Sequence, residues 1–332
     1  MPLTRSLSEC VVVITGASSG IGAATAHELA RRGATVVLAA RSADALRAVG
    51  DGCRALGGRA LAVPTDVTDP EAVRALATRA VTAFGRLDAW VNNAGVSSYG
   101  VIDQVPAAEF RRVVETNLLG TAYGIQAALP HLRAAGGGVI VNNASVLAEV
   151  TMPYMAAYNA SKHGVRGLSD TVRQEMRATG ELGISVCTVL PATIDTPFFR
   201  SAGNHTGRQL VPPPPVYPPE VPARTIVRVL RRPRREAYAG SAALALAVQW
   251  RLAPATMERL LTYYAARAEF GASPAATTAG NLFTAAGSGD VPGGWHGGRR
   301  RAVRATAVLG VAAGTAAGTI VALARRQTRG GG

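Results

Sequence analysis

The first 240 or so residues alternate short β-rich runs with longer Ala- and Arg-rich stretches, and this alternation constrains the fold more than any other feature. The runs are Cys10–Thr15, Thr35–Ala40, Ala60–Pro64, Leu87–Asn92, Gly138–Ala144, Ile184–Leu190 and Glu236–Gly240. Their cores are apolar on successive residues, as in Val11-Val12-Val13-Ile14 and Val36-Val37-Leu38. A half-exposed strand alternates apolar with polar side chains, whereas a strand apolar at every position must be covered on both faces. Between the runs, Gly20–Arg32, Ser42–Leu56 and Pro70–Phe84 show helical spacing. The pattern predicts a doubly wound, parallel α/β sheet of about seven strands with helices on both faces.

Beyond that unit the pattern changes. Residues 201–222 are irregular and contain the run Pro212–Pro215, which reads as part of a substrate loop (192–222) or as a polyproline ligand. A helical extension is expected over 241–270. It carries a stripe of Met257, Leu260, Leu261 and Tyr264, suited to a core or a subunit interface, or else to a membrane-facing or lid surface. From 271 to 298, 21 of 28 residues are Gly, Ala, Ser, Pro or Thr, so a flexible linker is expected over 271–303. Residues 304–325 form a candidate transmembrane helix. Its 20 uncharged residues, 305–324, would span ~30 Å as a helix, arginines flank both sides, and Gly310, Gly314 and Gly318 form a small-residue stripe. The alternative is a surface or partner-binding helix.

Charge divides the chain in the same way. Residues 1–200 carry 18 basic and 16 acidic side chains, while 201–332 carry 17 and 5. A nearly neutral front argues against nucleic acid as its partner, and a basic rear suits an anionic membrane face. Three scattered cysteines, Cys10, Cys53 and Cys187, give no disulfide framework or metal-ligand spacing. The apolar run after Glu9 is too short for a signal peptide, so a reducing, cytoplasmic compartment is expected.

Two local motifs carry chemistry. The first strand runs into Thr15-Gly16-Ala17-Ser18-Ser19-Gly20-Ile21-Gly22, and a helix follows. Glycines there let backbone N–H groups approach a pyrophosphate held at the positive helix end. The second strand ends at Arg41 with no acid between Thr35 and Ser42 to hold a ribose 2′-hydroxyl. An arginine suits a 2′-phosphate, so NADP(H) is expected over NAD(H). Further on, Tyr158 and Lys162 lie at i and i+4 of a helical stretch, on one face. An ammonium beside a phenol favours phenolate; bringing a pKa from about 10 to about 7 needs roughly 4 kcal/mol. Lys162 is the only lysine among 35 basic residues, at a place where a compact ammonium differs from a planar guanidinium.

Taken in order, these motifs resemble the short-chain dehydrogenase/reductase family, in its T-G-x-x-x-G-x-G and Y-x-x-x-K branch, over about residues 8–240. The resemblance implies cofactor contacts from Gly16, Ser18, Ser19, Gly20, Ile21 and Gly22, from Asp66 and Val67 beside the adenine, and from Asn93, Ala94 and Gly95 in the N-N-A-G motif. It implies further contacts from Pro191, Ile194 and Thr196, where Ala192 replaces the family's glycine. Asn117 would hold a water on a proton relay, and Ser145, thirteen residues before Tyr158, would orient the substrate oxygen. Tyr158 would be the general acid/base; Lys162 would lower its pKa and grip the nicotinamide ribose. The implied reaction is metal-free hydride transfer between nicotinamide and an apolar alcohol, ketone or aldehyde, in a homo-dimer or homo-tetramer. A non-catalytic dinucleotide-binding regulator is the alternative from another class.

Overall fold

The computed structural model describes residues 3, 5–285 and 289–295. The front unit runs β1 (Val11–Thr15), α1 (Gly20–Ala30), β2 (Thr35–Ala40), α2 (Ala43–Ala55), β3 (Arg59–Pro64), α3 (Pro70–Phe84) and β4 (Ala89–Asn92). A short β5 (Ser98–Tyr99), α4 (Ala107–Val114), α5 (Gly120–Ala134), β6 (Gly138–Asn143), α6 (Ala156–Ala178) and β7 (Ile184–Pro191) follow. Next come α7 (Phe198–Ser201), β8 (Gly203–Asn204) and β9 (Arg208–Leu210). The chain then forms α8 (Glu220–Arg231), β10 (Glu236–Ala239), α9 (Ser241–Leu252), α10 (Pro254–Ala268) and β11 (Phe270–Pro274).

Seven of these strands form one parallel sheet in the order β10-β7-β6-β4-β1-β2-β3. The predicted strand runs meet it to within a residue or two at each end. Both faces are covered, as the continuous apolar runs require: Val12 and Ile14 of β1 pack with one set of helices, Val11 and Val13 with the other. The strand order reverses between β1 and β4, and a crevice at the carboxyl ends of such strands is where a doubly wound sheet holds its ligand.

The rear of the chain lies over that crevice. Helices α9 and α10 fall where the extension was expected, and Met257, Leu261 and Tyr264 of the predicted stripe turn inward while Leu260 is exposed. The expected linker differs from the structure. Its first residues, in β11, pair antiparallel with β9, and Asn281 to Trp295 are hydrogen-bonded to the front unit in their described part. Small residues read as flexible because they lack bulk, and for the same reason they allow close packing. A Cβ at Gly293 would lie 2.2 Å from the Thr196 carbonyl oxygen. Among the described residues no helix is long and apolar enough to cross a membrane, and the candidate span 305–324 lies outside them.

Candidate active site

At the crevice the Thr15–Gly22 turn enters α1. A Cβ at Gly22 would lie 2.2 Å from the Gly16 carbonyl oxygen, so the turn closes only with glycine there. Asn93 ties this turn to the end of β4. Its amide donates to the Thr15 and Gly16 carbonyls at 3.0 and 3.1 Å, and Asn143 at the end of β6 donates to its Oδ1 at 2.8 Å. Thr15 Oγ1 accepts from the backbone N–H groups of Asn93 and Ala94. Such tethering fixes the glycine turn at α1's positive end, a fit for a pyrophosphate.

One cleft of about 1870 Å³ runs from this turn to α9 and α10. Every cofactor or catalytic residue singled out in the sequence lines it except Gly22 and Asn117, and of the expected substrate loop 192–222 the residues 192–194, 196–201 and 213–215 do so. Ala192 raises no backbone difficulty. Tyr154 is the described non-glycine residue with positive φ, so position 192 does not need the left-handed region. Its N–H instead donates to the Ala239 carbonyl at 3.0 Å.

The reactive groups sit midway along the cleft. Tyr158 and Lys162 project from the first turns of α6, with Lys162 Nζ 5.5 Å from the Tyr158 ring centroid. Ser145, capping a short 3-10 turn after β6 by accepting from the Leu147 N–H at 3.1 Å, lines the cleft with Tyr158 and lowers the pKa of its phenol. Lys162 Nζ donates to the Asn143 carbonyl at 3.0 Å. Asn117 lies in a π-helical turn between α4 and α5. Its Oδ1 accepts from Val96 N–H at 2.9 Å, while its Nδ2 donates to the Val96 carbonyl and to Ser161 Oγ, both at 3.0 Å. It thus braces α6 against the strand end that carries Gly95.

Electrostatics here differ from the expectation in one respect. Burial pushes the Tyr158 phenol up to about 12, with the Ser145 hydrogen bond pulling the other way. Burial also brings the Lys162 ammonium down to about 8. In the protein by itself, desolvation therefore outweighs the ammonium's pull on the phenol.

Two features escaped the sequence reading. Arg112 of α4 donates to Asp66 Oδ2 at 2.6 Å and to the Leu282 carbonyl at 3.0 Å. Burial would raise the Asp66 carboxyl, but hydrogen bonds from Thr68 and Arg112 hold it below the usual carboxylate range. The second is a strap along the cofactor half of the cleft. Arg41, expected to face a 2′-phosphate, donates through both terminal nitrogens to the carbonyls of Asn281 (2.5 Å) and Leu282 (2.9 Å). Gly20 N–H, first of the α1 donors, points to the Asp290 carbonyl at 3.0 Å. Trp295 donates to Asp195 Oδ1 and the Thr196 carbonyl. No local signal marks these contacts, since Arg41 and Leu282 stand 241 residues apart.

A glycine-lined helix end at the switch point of a doubly wound sheet, opening onto a buried Ser-Tyr-Lys cluster, defines a nicotinamide-dinucleotide oxidoreductase. The chain belongs to the short chain dehydrogenase family, whose family model matches residues 10–207. Cis-4-hydroxycyclohexanecarboxylate dehydrogenase of Sinomonas cyclohexanicum is 43% identical over 198 residues, 58% of this chain and 77% of that one. Two solved structures share the fold. A short chain dehydrogenase/reductase from Burkholderia phymatum in complex with NAD has a TM-score of 0.67 and 29% identity, covering 75% of this chain and 95% of its own. An alcohol dehydrogenase from Thermococcus sibiricus complexed with 5-hydroxy-NADP has a TM-score of 0.60 and 28% identity, covering 69% and 95%.

Proposed function

We propose that this oxidoreductase interconverts an apolar alcohol and its ketone or aldehyde with NADP(H). The observation that carries the reading is the meeting of Ser145, Tyr158 and Lys162 in one cleft, opening onto a chamber walled by Val146, Leu147, Met152, Phe198 and Phe199. When bound, the dinucleotide supplies the hydride and, in its oxidised form, a positive ring charge beside the phenol. Tyr158 gives its proton to the carbonyl oxygen as the ketone is reduced, and takes it back in the reverse direction. Ser145 holds that oxygen against the phenol. Lys162, fixed by the Asn143 carbonyl, would hold the nicotinamide ribose and supplies positive potential beside Tyr158. Asn117 keeps α6 in register with Gly95 and serves the proton path. The Gly20 N–H, which donates to the Asp290 carbonyl, would be among the donors that hold the pyrophosphate.

The names of relatives support an alcohol as substrate, and the cleft walls support an apolar one. The test is NADPH- and NADH-linked reduction of a panel of apolar ketones and aldehydes. Tyr158→Phe should bind dinucleotide as the parent does and lose about 10²-fold or more in turnover. Wild-type turnover in that variant would remove the mechanism, and no turnover of any carbonyl by the parent would favour a regulator. NAD(H) is the second reading, favoured by the strap: Arg41's terminal nitrogens are already committed to the Asn281 and Leu282 carbonyls.

A further inference from the structure

Glu269 links α10 to β11 and is only 2% exposed, yet it lines the substrate end of the cleft. Its backbone performs the structural work at this junction: the N–H donates to the Ala265 carbonyl at 3.2 Å, and the carbonyl accepts from Val211 N–H at 2.9 Å. The side chain does none of it. Oε2 is buried with no hydrogen-bond partner, and no Arg, Lys or His pairs with the carboxyl among the described residues. A buried carboxyl without partners is costly, and a leucine or methionine would fill the place more favourably if packing were the only demand. Burial lifts its pKa to about 8, so at neutral pH it is a neutral acid with one O–H to donate and one oxygen to accept.

Its neighbours place it in the reaction chamber. Tyr99 is buried, lines the same cleft, and feels the electrostatic influence of both Glu269 and Tyr158. Tyr264 also feels Glu269, but its own hydroxyl is committed to the Pro214 carbonyl. Around them lie Met152, Met155 and Phe270. A buried polar group in a largely apolar wall fixes the orientation of a ligand that carries a matching group.

Building on the dehydrogenase reading above, we infer that Glu269 is a substrate-specificity residue. It hydrogen-bonds a second, uncharged oxygen, a hydroxyl or carbonyl, on an apolar ketone or alcohol, remote from the carbon that reacts at Tyr158. The test compares three series in the full-length enzyme: straight-chain 2-ketones of increasing length, and the same ketones ending in a hydroxyl or in an amine. The parent should prefer the hydroxyketone at one chain length by roughly tenfold to a hundredfold in kcat/KM, the worth of one hydrogen bond to a buried group. Glu269→Leu should lose that preference while still reducing the plain ketones, and Glu269→Gln, which keeps a donor and an acceptor, should retain most of it. A wild-type enzyme with no hydroxyketone preference at any length overturns the inference even if the leucine variant does not fold. So does a preference unchanged in Glu269→Leu, or a preference for the amine, which would mean an ionised carboxylate. Plain ketones turned over without discrimination sink this inference alone, whereas no turnover in any series sinks the dehydrogenase reading beneath it.

Discussion

Lys162 can be titrated by itself, because no other lysine exists in the chain to confuse the signal. Protein grown with 13C-labelled lysine shows one side-chain Cε resonance, whose shift reports the charge of the ammonium as pH rises. Burial at the base of the cleft places its pKa at about 8, against an ordinary value of 10.5. The difference corresponds to about 3 kcal/mol of disfavoured charge. Because the folded pKa lies below the unfolded one, the unfolded chain binds more protons between about pH 8 and 10.5. The lysine therefore destabilises the fold at neutral pH, and the penalty fades as pH climbs through that window. The expected curve has its midpoint near 8 in the native protein and near 10.5 in denaturant. A native midpoint at the denatured value would mean that the ammonium is solvated, and the Asn143 tether and the desolvated Tyr158–Lys162 cluster would both be wrong. A midpoint near 8 that persisted in denaturant would assign the shift to something other than the fold.

Three further outcomes test other parts of the molecule. Arg41→Ala should weaken NADPH by about 1.5–3 kcal/mol and leave NADH nearly unchanged in fluorescence titrations; equal changes for both would mean that Arg41 serves the strap rather than a 2′-phosphate. Leu282 is fully buried against Val96, Val113 and Ala157, so Leu282→Ala should cost about 2 kcal/mol or more and speed proteolysis between 276 and 290. Cleavage as fast in the parent as in the variant would return this segment to a linker. Full-length protein should sediment with membranes and resist carbonate, while a chain ending at Gly298 should not; release by salt alone would mean surface attachment, and full-length protein soluble without detergent would end the anchor idea.

The legible part of this protein is the part governed by local backbone demands. Continuous apolar strands can only lie inside a covered sheet, a glycine turn before a helix can only serve a close approach, and residues four apart on a helix must share a face. The sheet, the Thr15–Gly22 turn and the Tyr158–Lys162 pair were readable for that reason. The charge states at the site were not, because burial is a property of everything packed around a group; the phenol at about 12 reflects the whole chamber.

The rest depends on which distant segments meet. Residues 271–298 have the composition of a linker, yet among the described ones Gly293 lies against Thr196, and Asn281 and Leu282 offer carbonyls to Arg41 and Arg112. Composition records the lack of bulk, but not whether a surface waits to receive it. Glu269 likewise reads as an ordinary acid at a helix end. Only the pairing of β11 with β9, across 60 residues from Phe270 to Leu210, carries it into the cleft and away from water, and that pairing is written in neither strand alone.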